Sequence, residues 1–152
     1  MTPACTVVAR ARVCNDEPTM SDAGPEVETV SVLVVDDQAP FRLAARAVIK
    51  RTDGFELAGE AESGEAAVEM AAELHPDLVL MDINMPGING IEAASRIVAE
   101  APDAVVFLCS TYERSDLPEE AVESGARAYI NKEELGPVVL RDLWELRQNS
   151  TL

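Results

Sequence analysis

The stretch LVLMDINMPGING, residues 78–90, decides the fold of this chain. Its apolar run, Leu78 to Met81, is short and is followed by the turn-forming pair Pro86-Gly87, so it predicts a buried strand rather than a helix. Asp82 comes directly after the run. Ligands of open parallel sheets bind outside the carboxyl ends of the strands, whereas a carboxylate inside the sheet would lose its hydration. Asp82 therefore indicates either a binding site or a cap of the following turn.

Similar apolar runs alternate with helical patterns from residue 30 onward. The predicted strands are residues 30–37, 55–61, 77–82, 104–109 and 126–130. Apolar residues at helical spacing predict helices after Pro40, over 63–74 with Ser63 as the cap, around 91–98, over 115–124 and over 136–148. Parallel strands need crossover connections, so this alternation predicts an α/β fold with a parallel sheet covered on both faces. The alternation alone leaves the strand order open.

The 152 residues, of which 47% are apolar, are expected to form one domain with an extension. Residues 1–28 lack sustained periodicity and are predicted to be a disordered extension, with the domain at 29–148 and a tail at 149–152. Met20 begins a stretch that resembles a natural start, so residues 1–19 are also compatible with an upstream choice of start codon. The chain ends soon after the fifth predicted helix, so no output domain is expected.

The charge and the cysteines limit the classes of partner. A net charge of −16 would repel nucleic acid and anionic membranes, so we expect a protein or small-molecule partner and no direct binding of nucleic acid. No apolar stretch reaches the length of about 20 residues that spans a bilayer. Three cysteines with no metal-type spacing favour a reducing cytoplasm, and Cys109 is expected to be a small core residue.

Three carboxylates are predicted to follow two of the strands. Asp36 and Asp37 end the first strand and Asp82 ends the third. If these strands are neighbours, the carboxylates converge, and a hard cation such as Mg²⁺ would offset their repulsion. The cluster has no Cys or His ligand, which disfavours zinc. The alternative, three separate capping aspartates, stays open at this point.

Two further polar residues follow later strands. Ser110 comes after the fourth strand and Lys132 after the fifth, where a hydroxyl and an ammonium would stabilise a phosphoryl anion. An aspartate beside them could act as a covalent nucleophile. Taken singly, Ser110 could be a turn residue and Lys132 a solvated loop lysine.

In combination these residues resemble the receiver domain of response regulators, the phosphorylation module of two-component signalling. The resemblance covers about residues 30–148 and rests on VLVVDD, LVLMDINMPGINGIEA, the hydroxyl of Ser110 and AYINK. It implies a flavodoxin-like, doubly wound sheet of five strands in the order 2-1-3-4-5.

The resemblance also implies roles for the residues of the site. Asp82 would accept a phosphoryl group from a sensor histidine kinase or a phosphotransfer protein. Mg²⁺ would be held by the side chains of Asp36, Asp37 and Asp82 and by the backbone carbonyl of Asn84.

The remaining roles concern the response to phosphorylation. Lys132 matches the lysine that pairs with the phosphoryl group, Ser110 the hydroxyl that moves toward it, and Tyr129 the switch aromatic, which would turn inward. The implied function is a cytoplasmic signalling switch, not an enzyme in its own right, read by a downstream protein through helix four, strand five and helix five. The residue after the hydroxyl, Thr111, is bulkier than in most of the family and puts easy access of small phosphodonors in doubt.

Other classes of function remain as alternatives. A degenerate receiver could act as an adaptor without phosphorylation, although the acids, Ser110 and Lys132 are all retained. A haloacid-dehalogenase phosphohydrolase would need an acid at position 84, where this chain has Asn84. A flavin-binding protein would need a phosphate-cradling loop after strand one, and none follows it.

The last predicted helix has two apolar faces. Val139, Leu143 and Leu146 are expected to form an inward stripe, whereas Leu140 and Trp144 lie on a different face. This second face is either a further core contact or a contact with a partner, including a second copy in a homodimer.

Overall fold

The computed structural model describes residues 29–111 and 113–147. The extension predicted over 1–28 and the tail predicted over 149–152 lie outside these residues. None of the helices in the described part of the chain has the length and apolarity needed to cross a bilayer.

Strands and helices alternate along the described residues, as the sequence predicts. The strands are β1 (Val30–Val35), β2 (Phe55–Ala61), β3 (Leu78–Asp82), β4 (Val105–Ser110) and β5 (Ala128–Asn131). The helices are α1 (Ala39–Arg51), α2 (Gly64–Leu74), α3 (Gly90–Glu100), α4 (Glu119–Glu123) and α5 (Pro137–Leu146), with 3-10 turns at Arg114–Asp116 and Lys132–Glu134.

All five strands are parallel, in the order β2-β1-β3-β4-β5. The predicted fold class and the strand order implied by the resemblance are therefore confirmed. Strand β3 is central, with Met81 beside Val35 of β1 and Asp82 beside Cys109 of β4. The carboxyl ends of β1, β3 and β4 consequently lie together at one edge of the sheet.

The central strand is buried on both faces, which explains its uninterrupted apolar sequence. Leu78 and Leu80 pack into a cluster with residues of α1 and α5, whereas Val79 and Met81 pack into a cluster with residues of α2 and α3. Alternate residues of a strand point to opposite faces, so one apolar run supplies both layers of the core.

Polar N-cap residues begin two of the helices near the site, α2 and α3. The hydroxyl of Ser63 accepts a hydrogen bond from the amide of Ala66, so the predicted cap of α2 is confirmed. The side chain of Asn89 caps α3 in the same way. Gly90 allows α3 to begin directly against β3, since a Cβ at this position would come 1.9 Å from the carbonyl oxygen of Asp82.

The fourth helix is shorter than predicted. The sequence pattern suggested 115–124, but α4 spans Glu119–Glu123 and follows a separate 3-10 turn, Arg114–Asp116. Pro118 explains the interruption, because a residue before proline disfavours the helical conformation and proline itself has no amide hydrogen to donate.

The predicted faces of α5 are also wrong in part. Leu140 is fully buried, with Leu143 and Trp144 packed beside it, whereas Leu146 is 55% exposed. Positions i, i+3 and i+4 share a helix face, so a core contact centred on Leu140 turns Leu146 toward solvent. The ring of Trp144 meets that of Phe55 edge-on at 6.1 Å, which makes it a core contact.

Candidate functional site

Three carboxylates meet at the carboxyl edge of the sheet. One oxygen from each of Asp36, Asp37 and Asp82 lies within 4.8 Å of the others. The pairing of β1 with β3 accounts for this, because Val35 lies beside Met81 and the next residues along the chain are Asp36 and Asp82. The convergence predicted from the sequence is therefore present, and it disfavours three independent capping aspartates.

The three acids differ in their environment. Asp36 and Asp82 are buried, whereas Asp37 is exposed. One oxygen of Asp36, Oδ1, accepts a hydrogen bond of 2.8 Å from the amide of Gln38. The other, Oδ2, is buried without an aligned hydrogen-bond donor among the described residues, although the Lys132 ammonium lies 2.6 Å away. This oxygen has remaining capacity to bind a cation.

Lys132 spans the two buried acids. Its Nζ lies 2.6 Å from Asp36 Oδ2 and 3.1 Å from Asp82 Oδ1. Burial by itself would lower the pKa of Lys132, but the two carboxylates outweigh burial and raise this pKa above its ordinary value. Lys132 therefore stays cationic at physiological pH, and the reading of it as a solvated loop lysine is wrong.

Asp82 is less readily ionised than a solvated aspartate. Burial raises its pKa, and the neighbouring charge of Asp36 raises it further. The Lys132 ammonium and a hydrogen bond from the backbone of Asn84 oppose this shift but do not cancel it. The negative charge on Asp82 is thus costly in this setting, and a cation that offsets the repulsion between the carboxylates would be bound favourably.

The acid cluster fits Mg²⁺ by the chemistry of its donors. Carboxylate oxygens are the ligands that this ion prefers, and Asp36 Oδ2 has acceptor capacity beyond its contact with Lys132. The three carboxylates could hold such an ion. Asn84, the further predicted ligand, lies in the loop after β3, two residues beyond Asp82.

Ser110 and Tyr129 lie on the other side of Asp82. Ser110 is buried as the last residue of β4, next to β3 in the sheet. Tyr129 is 7% exposed, and its hydroxyl donates a hydrogen bond of 3.0 Å to the backbone oxygen of Ser110. Tyr129 is a residue of β5, and its ring is already packed inward in this structure.

Cys109 is a free thiol in the core beneath the acids. Burial raises its pKa to about 12, so the thiol stays protonated and is a poor nucleophile. The prediction of a small core residue is confirmed.

Two residues of the site are not marked as such by any pattern in the sequence. Arg42 donates a 2.7 Å hydrogen bond from Nη1 to the backbone oxygen of Asp36 and forms an ion pair with Glu60. The ring of Phe41 lies 4.6 Å from Lys132 Nζ, measured to its centroid. In the sequence Phe41 was only one member of a helical apolar pattern. Its position five residues after the first acid of the pair carries no recognisable signal by itself.

Comparison with known proteins matches the chain to a family. The model of the response regulator receiver domain matches residues 32–142. The chemotaxis protein CheY of Thermotoga maritima is 43% identical over 101 residues, which cover 66% of this chain and 83% of that protein. The response regulator GacA of Pseudomonas viridiflava is 38% identical over 103 residues, which cover 68% of this chain and 48% of GacA. The matched part of the chain thus spans about half the length of GacA and most of the length of CheY.

Solved structures agree with these matches. The response regulator domain of Thermotoga maritima CheB superimposes with a TM-score of 0.72 at 32% identity, covering 82% of this chain and 100% of that chain. The receiver domain of the regulator NarL from Mycobacterium tuberculosis gives a TM-score of 0.72 at 26% identity, covering 80% and 98%.

Proposed function

The chain belongs to the response regulator receiver family, and from this premise we propose that it is a signalling switch controlled by phosphorylation of Asp82. The phosphoryl group would come from a sensor histidine kinase or a phosphotransfer protein. The observation that carries the proposal is the contact of the Lys132 ammonium with both Asp36 and Asp82, beside the exposed carboxylate of Asp37.

The arrangement supports an in-line transfer to Asp82. A carboxylate oxygen of Asp82 forms the new bond to phosphorus while the bond from phosphorus to the histidine nitrogen breaks, and the histidine leaves with the electron pair. Lys132 offsets the charge on the phosphoryl oxygens. Bound Mg²⁺, held by Asp36, Asp37, Asp82 and the carbonyl of Asn84, would supply further neutralisation of that charge.

The same residues explain how phosphorylation would be read. The new phosphoryl oxygens would attract the hydroxyl of Ser110 and the ammonium of Lys132, which lie at the ends of β4 and β5. Tyr129 reports this change, because its hydroxyl bonds to the backbone of Ser110. Phosphorylation would stabilise this inward state of Tyr129 and so bias the surface formed by α4, β5 and α5.

A partner protein would read that surface. The high negative charge of the chain argues against direct binding of nucleic acid and for a protein target. The cysteine usage favours the reducing cytoplasm as the place of this interaction. A homodimer through α5 is the less supported arrangement, because Trp144 is engaged by Phe55. The adaptor that works without phosphorylation is also less supported, since it gives no reason for the costly burial of Asp36 and Asp82.

The proposal is tested by phosphate incorporation. The wild type, Asp82→Asn and Asp77→Asn would each be incubated with Mg²⁺ and a phosphorylated histidine kinase, and the products identified by intact-protein mass spectrometry. We expect one phosphate on the wild type and on Asp77→Asn, and at least a hundredfold slower labelling of Asp82→Asn. Asp77 is the matched control because it lies at the other end of the same strand. Unchanged labelling of Asp82→Asn would contradict the proposal.

A further inference from the structure

We propose that Phe41 is a positioning residue, whose ring holds the ammonium of Lys132 at the site through a cation–π contact. The distance of 4.6 Å from Nζ to the ring centroid lies inside the range of about 6 Å over which an aromatic face attracts a cation. The effect on phosphoryl transfer rests on the proposed function, whereas the contact itself does not.

The surroundings of Lys132 make this contact stronger than one at an open surface. The side chain of Lys132 is only 18% exposed, so water competes weakly for its ammonium. The ring of Phe41 packs against the core cluster shared by α1 and α5. The ammonium therefore lies between a fixed apolar ring and the two carboxylates of Asp36 and Asp82.

The ring of Phe41 attracts the ammonium of Lys132 without taking part in cation binding or phosphorylation, which the carboxylates cannot do. A cation bound to Asp36 and a phosphoryl group on Asp82 would both draw carboxylate oxygens away from Lys132. The face of Phe41 is a neutral attractor that takes part in neither interaction, so it would keep the ammonium in place throughout the reaction. The lysine would then meet the phosphoryl oxygens without the entropic cost of being ordered first.

The backbone keeps the ring aligned with the acids. Phe41 lies in the first turn of α1, directly after Pro40, and its amide bonds to the carbonyl of Gln38. The next residue, Arg42, bonds to the backbone oxygen of Asp36 at the end of β1. These contacts tie the start of α1, which carries Phe41, to the acid pair.

The first experiment measures the contact directly. The chain has two lysines, Lys50 and Lys132, so the ε-protons of Lys132 can be assigned by comparison with Lys132→Arg, and the exposed Lys50 serves as an internal reference. A proton over an aromatic face is shifted upfield by the ring current. We expect this shift for Lys132 in the wild type and its loss in Phe41→Leu, which keeps an apolar side chain without the ring.

The second experiment measures the consequence. Phenylalanines with increasing fluorination would be placed at position 41, since fluorine weakens the negative face of the ring with little change in shape. The rate of phosphorylation should fall stepwise along the series, by about three- to tenfold in total, which matches the strength of a partly buried cation–π contact. A residue with a packing role alone would give no such trend.

The matched control is Phe55→Leu. Phe55 has the same side chain, is also half-buried, and packs into the same cluster, but its ring meets Trp144 rather than Lys132. We expect Phe55→Leu to lower the thermal midpoint while leaving the Lys132 shift and the phosphorylation rate unchanged.

The outcomes separate this inference from the proposed function. Equal shifts of the Lys132 ε-protons in the wild type and Phe41→Leu, or equal rates across the fluorinated series, would overturn the role of Phe41. A wild type that takes no phosphate on Asp82 would instead overturn the proposed function, and the ring-current shift would still decide whether Phe41 holds the ammonium.

Discussion

The two ends of β3 each carry an aspartate, and the protein treats them in opposite ways. Asp77, before the strand, accepts hydrogen bonds from the amide and the hydroxyl of Ser31 at 3.0 and 3.2 Å, and it is exposed. Asp82, the last residue of the strand, is buried beside Asp36. The first acid joins β3 to β1, whereas the second holds a charge that folding alone does not require.

This difference suggests how a stable sheet can carry a reactive edge. At the amino end, donors of the protein satisfy the carboxylate of Asp77. At the carboxyl end, the crowding of Asp36 and Asp82 is relieved mainly by one ammonium, that of Lys132. The uncompensated negative charge costs stability but provides affinity for a cation, which in turn would offset the charge of a phosphoryl group.

Removal of the ammonium should have the largest effect on stability. Lys132→Met would leave two buried carboxylates without their cation, and we expect a loss of about 3 kcal/mol in the free energy of unfolding. Urea denaturation in EDTA measures this loss, and added Mg²⁺ should restore part of it. The control is Lys50→Met, an exposed lysine whose loss should change stability by less than about 0.5 kcal/mol. Equal stabilities of the two variants would show that repulsion between the carboxylates of Asp36 and Asp82 does not lower the stability of the fold.

Removal of the charge at the end of β3 should act in the opposite direction. Because the pKa of Asp82 is raised in the folded state, the ionised carboxylate lowers stability at neutral pH. Asp82→Asn is therefore expected to be more stable than the wild type at pH 7 in EDTA, as measured by urea denaturation.

The sign of this effect depends on pH. As pH falls through the raised folded pKa toward the ordinary range for aspartate, the wild type takes up its proton and the cost of the charge disappears. The difference between wild type and Asp82→Asn should therefore shrink in acid. A difference that grows as pH falls would mean that the carboxylate of Asp82 is stabilised by folding.

The smallest effect is expected at the other end of the strand. Asp77→Ala would remove the acceptor of the Ser31 amide and hydroxyl. Because Asp77 is exposed and water can replace it, we expect a loss of only about 0.5 kcal/mol, the low end of the net value of such hydrogen bonds. Affinity for Mg²⁺, measured by isothermal titration calorimetry, should not change. A weaker affinity for Mg²⁺ would show that the two ends of β3 are coupled.

Much of the fold was accessible from the sequence because buried parallel strands leave a strong signal. The second strand was predicted with its observed bounds, Phe55–Ala61, and the cap at Ser63 was found from its residue type and position. The fourth helix was less accessible. Pro118 separates the 3-10 turn Arg114–Asp116 from α4, whereas the apolar periodicity over 115–124 continues across the proline.

Some residues of the site could likewise be predicted from the sequence and others could not. Four polar residues of the site stand out because each comes within two residues of the end of an apolar run: Asp36, Asp82, Ser110 and Lys132. Phe41 and Leu146 do not stand out, because an apolar residue in a helix looks the same whether it faces the core, a lysine or solvent. Which of these surrounds it depends on how the helix is rotated against the sheet.

The sequence by itself determined the alternation of strands and helices and the polar groups at the strand ends, since both follow from local hydrophobic pattern and turn chemistry. Tertiary structure alone decided how far these groups approach one another: the 2.6 Å and 3.1 Å contacts of Lys132 and the ring of Phe41 beneath it. These contacts join residues of different strands and helices, and close packing of the core, rather than any local preference, sets the distances between such elements.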